Sequence, residues 1–499
     1  MSLERVSFQS TQALYSIAAT REIEKAVASA LPPHTLMQRA GLSVAQLVCE
    51  IAPDARLIWI ACGAGNNGGD GLEAAMQLRM MGREAVVTWL GDEASCPPDS
   101  RASYERARDA DVWFADAPPA HWDVAVDALL GIGASRAPEG VMADWLALMV
   151  ESGKPVLHVD APSGFSVDTG QWLDATKSVA PRADSMPAMG GFSSQKHTLS
   201  LLTLKPGLFT AHGRDACGEV WFDDLGIEQA VKEPTAWLLG AQEMQLPLRL
   251  HASHKGSYGD VAVIGGASGM QGAALLAARA ALHAGAGRVF VGLLGGGMVV
   301  DPMQPELMFR DMPSLELEGK TVVCGCGGGH DVRRVLPRVL SATERLVLDA
   351  DALNAIAVDE SLQTLLQARS KKNQATVLTP HPLEAARLLG MTTQEVQADR
   401  LKAAQSLADR FACTVILKGS GSIIASRDSV PSINPTGDAR LATAGTGDVL
   451  AGICGAFLAQ GDAMLAAQRA CWTHGALVTD ATNTQVVPAS ELIHRISQR

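Results

Sequence analysis

No two of the nine cysteines (Cys49, Cys62, Cys96, Cys217, Cys324, Cys326, Cys413, Cys454, Cys471) stand in a C-x-x-C pair. The pattern suggests neither a zinc site nor a disulfide framework. Cys324-Gly325-Cys326 comes nearest, in a Gly-rich turn after a strand, and reads as structural thiols. Positive charge is also short: 41 Lys and Arg against 53 Asp and Glu leave a net charge of -12. That balance argues against a nucleic-acid or membrane-surface partner, so a phosphate-bearing ligand must be held by helix N-termini and single lysines. Aromatic residues are only 4% of the chain. No uncharged apolar run reaches the roughly 18 residues of a membrane span, and the N-terminus lacks the charged, apolar and cleavage regions of a signal peptide, so none is expected. The expectation is a reduced, cytoplasmic protein. At 499 residues it is too long for one typical core, so two domains are expected.

What is present is concentrated near the end. Ala442-Thr443-Ala444-Gly445-Thr446-Gly447-Asp448 opens Val449–Leu458, an apolar, small-residued stretch long enough for a buried helix. A Gly-rich turn there aims free N–H groups and the positive end of the helix dipole at an anion. Asp448 in the first turn is either a cap or a base that takes a proton from a substrate hydroxyl. About one hairpin earlier, Val415-Ile416-Leu417 ends in Lys418-Gly419-Ser420-Gly421-Ser422. Strand, Lys-Gly turn, Gly-rich turn with Asp and buried helix resemble the nucleotide end of the ribokinase-like fold.

The first half repeats the alternation. Residues from about 12 to 50 read as helical, and Leu57–Cys62 reads as a buried strand. It runs into Gly63-Ala64-Gly65-Asn66-Asn67-Gly68-Gly69-Asp70-Gly71, a loop of the phosphate-cradling type, with a helix expected from Leu72 to Met81. Further strands end at Asp127, followed by Gly131-Ile132-Gly133-Ala134-Ser135-Arg136-Ala137, and at Asp160-Ala161-Pro162-Ser163-Gly164. An Asp at a strand end is often a turn former. Three such polar clusters at the carboxyl edge of one sheet favour a shared site.

These strings, with Leu204-Lys205-Pro206-Gly207 and Gly218–Ile227, resemble the epimerase domain of the NAD(P)H-hydrate repair proteins. Val261–Gly266, Thr321–Gly327, Leu346–Asn354 and Thr379–Ala385, in that order, resemble the ADP-dependent dehydratase domain of the same family. Cys326-Gly327-Gly328 departs from the family's Pro-Gly-Leu, and residues 171–197 form an irregular stretch where a short approach to a strand is expected. The resemblance implies two α/β domains: a Rossmann-like three-layer sandwich over 1–230 and a ribokinase-like domain over 251–499, joined by a linker over 231–250. It implies epimerisation of hydrated NADH and NADPH, then ADP-dependent dehydration of one epimer.

The residue roles come with the resemblance. Asp160 would be the epimerase acid and base; Asn66 to Asp70 and Gly131 to Ala137 would contact its substrate. Asn67, Asp127 and Ser163 would hold K+. Asp448 would be the dehydratase base; Ala273, Gly327 and His381 would contact the hydrate. Lys418, Gly419, Ser420, Gly421, Ser422, Gly445 and Gly447 would bind ADP, with Mg2+ as companion ion. His381 between prolines also reads as a turn residue. A homo-oligomer is expected. Two alternatives stand beside this reading. One is a small-molecule kinase with a non-catalytic N-terminal binding module. The other is a scaffold of messenger-RNA decay, which need not keep the site residues.

Overall fold

The computed structural model describes residues 3–173, 195–227, 232–246, 248–479 and 486–498. The stretch 171–197 therefore lies, apart from its ends, outside the described residues. The chain divides into two units, residues 1–7 with 13–235 and residues 8–12 with 236–499.

The first unit opens with two helices, α1 (Ile17–Ala28) and α2 (Thr35–Ile51), rather than one helical stretch. Pro32 and Pro33 remove two backbone donors, and His34 takes a left-handed φ of 67° at the break. Then come β1 (Leu57–Cys62), α3 (Asn66–Met80), β2 (Glu84–Trp89), β3 (Val124–Ala128), β4 (Val156–Val159), β5 (Lys196–Leu201) and β6 (Glu219–Asp223). These strands lie side by side, all parallel, in the order β6-β5-β4-β3-β1-β2. The order reverses at β1 and β3, so a crevice opens beyond their carboxyl ends.

Helix α3 begins at Asn66, not at Leu72. Glycine costs a helix about 1 kcal/mol per residue, and the first six positions hold three. Packing overrides that cost. A Cβ on Gly68 would stand 1.9 Å from the Gly63 carbonyl oxygen, and one on Gly71 would stand 2.7 Å from the Ala128 Cβ. The glycines let the helix press onto the ends of β1 and β3. The core around it is aliphatic, from Val44 and Leu47 of α2 through Leu72 and Leu78 to Val126 and Leu157.

The second unit carries β7 (Asp260–Gly265), α4 (Gln271–His283), β8 (Arg288–Leu293), β9 (Lys320–Cys324), β10 (Arg345–Leu348), β11 (Ala375–Leu378), α5 (Pro382–Leu389), α6 (Arg400–Phe411), β12 (Thr414–Leu417), β13 (Ile423–Ala425), α7 (Thr446–Leu458) and α8 (Ala463–Thr479). Its sheet runs β8-β7-β9-β10-β11-β12-β13, parallel until β13 turns back on β12 as a hairpin. Helix α7 is buried at every residue from Val449 to Leu458. It lies close on the alanine-rich α4, because a Cβ on Gly452 would stand 2.1 Å from the Ala277 carbonyl oxygen. The stretch read as a linker carries a strand, Ala236–Leu238, and a short helix, Ala241–Met244.

Candidate active sites

At the carboxyl edge of the first sheet lies a cavity of about 670 Å³. Its walls include Asn66, Asn67 and Asp70 from the start of α3, Gly131 to Ala134 after β3, and Asp160 after β4. Ser135, Arg136 and Ala137 are not in the wall, and Gly68 and Gly69 are buried behind it. Gly131 is required there, since a Cβ would come within 2.9 Å of the Asn67 side-chain oxygen.

Asp160 sits at φ 66°, a left-handed conformation outside a glycine. Its amide donates to Leu199 O at 2.8 Å, which pins the turn. Its Oδ1 accepts from Lys205 Nζ at 2.5 Å and from the Leu201 amide at 3.1 Å. Lys205 is fully buried and also donates to Leu201 O at 2.8 Å. Such a pair holds the carboxylate in place, and a buried charge without its partner would be strongly unfavourable. Burial first, and then the charges of Asp160 and Glu24, push the Asp70 carboxyl well above the usual range. The two aspartates thus lie in one cavity: Asp70 is held towards its neutral form, and Asp160 is bound by Lys205. Glu24, which with Arg21 lines the α1 side of the cavity, is also raised, mainly by burial.

Asp127 and Ser163 are buried beneath this wall. Asp127 accepts from Ser163 Oγ at 2.6 Å and from the Ser163 amide at 3.0 Å, and it pairs with His158 Nδ1 at 2.9 Å. Ser163 Oγ also lies 3.3 Å from Leu130 O. The Asn67 amide nitrogen is buried with no hydrogen-bond partner.

In the second unit the ends of β9, β10, β11 and β12 meet the start of α7. Gly445 takes φ 89° and turns the chain into α7, with Thr446 Oγ1 donating to Leu441 O at 2.9 Å. Asp448 follows in the first turn, half-buried. Burial, and next the charge of Asp349, lift its carboxyl to about 7. A Cβ on Gly447 would stand 3.3 Å from Lys418 Nζ, so the lysine at the end of β12 lies against the start of α7. Lys418 Nζ donates to Asp349 Oδ1 at 2.7 Å, and Thr379 Oγ1 donates to the same oxygen at 2.7 Å. The backbone of the Lys418 turn is braced from below by buried Arg400, which donates to Leu417 O and Lys418 O, each at 3.2 Å. Gly419 and Gly421 both take positive φ, 139° and 58°, and Ser422 Oγ donates to Gly419 O.

Gly327 adjoins α4: a Cβ on it would stand 2.9 Å from the Ala273 Cβ, so the two residues lie side by side. His381 caps α5, its Nδ1 accepting from the amides of Leu383 and Glu384. Burial and then Lys418 lower its pKa, keeping the imidazole neutral. Its capping partner Glu384 is raised to about 7, chiefly by burial.

Three residues stand out beyond the sequence reading. Lys205 and Asp349 stand in the sequence only within longer matching strings, although Asp349 follows a buried strand as Asp160 does. Cys326, read as a structural thiol, belongs to the site: its sulfur, one carboxylate oxygen of Asp349 and one of Asp448 lie within 4.8 Å of one another. Burial, then Asp448 and Asp349, push its thiol far up. The sequence gives no local sign of this, because the three residues come from the turn after β9, the end of β10 and the first turn of α7.

Two parallel α/β domains, each with acidic and basic groups gathered at the carboxyl edge of its sheet, define a two-site enzyme whose second domain is ribokinase-like. The family model described as NAD(P)H-hydrate dehydratase matches residues 261–499, and the model of the YjeF-related protein N-terminus matches residues 33–207. The bifunctional NAD(P)H-hydrate repair enzyme Nnr of Escherichia coli is 35% identical over 480 residues, covering 91% of this chain and 86% of that protein. The ADP-dependent (S)-NAD(P)H-hydrate dehydratase of Neisseria meningitidis is 44% identical over 237 residues, 46% of this chain and 79% of that one. Among solved structures, the ADP/ATP-dependent NAD(P)H-hydrate dehydratase of Bacillus subtilis, co-crystallised with ATP and Mg2+, is similar at 29% identity with a TM-score of 0.45, covering 51% of this chain and 94% of that one. The chain belongs to the family of bifunctional NAD(P)H-hydrate repair enzymes. No helix among the described residues is long and apolar enough to cross a membrane.

Proposed function

We propose that the chain repairs hydrated NADH and NADPH in two steps, epimerisation in residues 1–230 and ADP-dependent dehydration in residues 251–499. The observation that carries the reading is Asp448, poised near neutrality in the first turn of a buried helix beside Lys418. A base with a pKa near the working pH combines a useful ionised fraction with useful basicity.

Hydroxide is a poor leaving group, and phosphate is a good one. Asp448 takes the proton of the hydroxyl on the ring carbon next to the nitrogen. The oxygen attacks the terminal phosphorus of ADP, and AMP leaves. Backbone N–H groups at the start of α7, at Gly445 and Gly447, face the phosphoryl group, and Lys418 supplies a fixed positive charge. Gly419 to Ser422 wrap the nucleotide, while Ala273, Gly327 and His381 bound the hydrate. The ring nitrogen then expels phosphate, a proton leaves the neighbouring carbon, and the double bond returns. The balance is hydrate and ADP in, NAD(P)H, AMP and phosphate out. The carboxylates of Asp349 and Asp448 would be the oxygen ligands for Mg2+, which would offset the negative charge of the phosphates.

In the first domain, Asp160 moves the proton that opens and recloses the hydrated centre, Lys205 fixes it, and neutral Asp70 is a donor across the cavity. The oxygens of Asn67, Asp127 and Ser163 suit K+. They are hard ligands, and the Asp127 carboxylate and the Ser163 hydroxyl lie together at 2.6 Å. K+ there would tie the start of α3 to the turns after β3 and β4.

The test is incubation with both hydrate epimers and ADP, followed at the dihydronicotinamide absorbance. Full recovery of absorbance is expected; no recovery with ADP or ATP removes the proposal. A phosphorylated product that accumulates would favour the small-molecule kinase instead.

A further inference from the structure

We infer that Cys326, Asp349 and Asp448 form a binding site for a thiophilic divalent cation, Zn2+ by chemistry, and that its occupation shuts the dehydratase half. The sulfur and the two carboxylates converge from the turn after β9, the end of β10 and the first turn of α7, with all ligand atoms within 4.8 Å. A tetrahedral zinc with Zn–S about 2.3 Å and Zn–O about 2.0–2.2 Å holds such atoms roughly 3.5 Å apart. Closing the set therefore needs movements of about an ångström. Thiolate plus carboxylates select zinc over magnesium, which prefers oxygen alone. The charges match once binding has displaced the ligand protons: three anionic ligands against the single cation of Lys418, which pairs with Asp349, leave two negative charges for a divalent ion. Cys326 and Asp349 are buried and Asp448 is half-buried.

Metal binding here stands apart from the proposed reaction, because it is read on the protein itself. Only the inhibition depends on that reading. On binding, the Cys326 thiol loses its proton to solvent, a sulfur–metal bond forms, and no electron is transferred.

The experiment uses the full chain with Co2+ as spectroscopic stand-in and Zn2+ as competitor. Wild type is expected to bind one Co2+ with a thiolate-to-cobalt charge-transfer band in the near ultraviolet. Stoichiometric Zn2+ should erase the band. Cys326→Ser and Cys326→Ala should lose the band and at least tenfold of the Zn2+ affinity in a chelator competition, with unchanged circular dichroism. The other eight cysteines remain in these variants, so a band that survives Cys326→Ala overturns the proposal, as does its absence from wild type. Should the alanine variant misfold, Asp349→Asn is the second probe: the band should weaken or shift, and an unchanged band and affinity would also overturn the site. Zn2+ should stop ADP-dependent dehydration reversibly by EDTA while epimer exchange continues. Undiminished dehydration with Zn2+ bound and the band intact would overturn the inhibition, whereas dehydration absent even without Zn2+ would count against the proposed catalysis instead.

Discussion

Replacing Asp448 by Asn should remove dehydration and, at the same time, make the second domain more stable at alkaline pH. The carboxyl is raised from its ordinary 3.8 to about 7, first by burial and then by Asp349. A raised acid binds its proton more tightly folded than unfolded. Its contribution therefore costs stability progressively as pH rises from 3.8 towards 7, and the full cost is present above 7. At about 1.4 kcal/mol per pH unit the upper bound is about 4 kcal/mol. Asp448 is half-buried, so solvent screening brings this down to on the order of 2 kcal/mol. Asparagine keeps the shape and removes the charge. The variant should be more stable than wild type by about 2 kcal/mol at pH 8, roughly 5 °C in Tm for a domain of this size, but by under about 1 kcal/mol at pH 5. Thermal unfolding at both pH values measures this, on the transition that ADP shifts in the wild type. Glu384 is raised too and slopes both proteins alike, so the difference between them isolates Asp448. Equal stability changes at pH 5 and pH 8, or a loss at pH 8, would refute the electrostatic reasoning. Retained dehydration would reduce Asp448 to a helix cap.

Four further outcomes are expected. The kcat/KM for ADP-dependent dehydration should fall about tenfold per pH unit below about 7, as Asp448 protonates; a flat profile from pH 5 to 8 excludes it as the base. Lys418→Met should raise the KM for ADP more than that for the hydrate and cost about 3–5 kcal/mol by stranding Asp349, while adding Asp349→Asn should restore the Tm but not the activity. Asp160→Ala and Lys205→Met should each turn the single-phase repair of mixed epimers into a fast phase and a slow tail at the spontaneous exchange rate; a slowed fast phase would mean the change reaches the dehydratase. Exchanging K+ for a large organic cation should lower the melting temperature of the epimerase transition and its rate together, and no change in either would remove the ion from Asn67, Asp127 and Ser163.

Local pattern was enough to read two α/β halves, the strands ending at Asp127, Asp160 and Lys418, and the Gly-rich entry to α7. Each of these depends on neighbours in the chain: a β-rich apolar run, a turn of glycines, a helical apolar stretch. The start of α3 was not legible, because glycines at Gly68, Gly69 and Gly71 signal a loop until the ends of β1 and β3 press on them. Partnerships across the sheet were equally hidden. Lys205 reaches Asp160 from 45 residues away, and Lys418 reaches Asp349 from 69 away. Strand order brings those side chains together, and strand order is set by packing over the whole sheet, which no local spacing encodes. The same holds for Cys326. By sequence it is a small apolar thiol in a turn, and only the convergence of β9, β10 and α7 sets it beside two carboxylates.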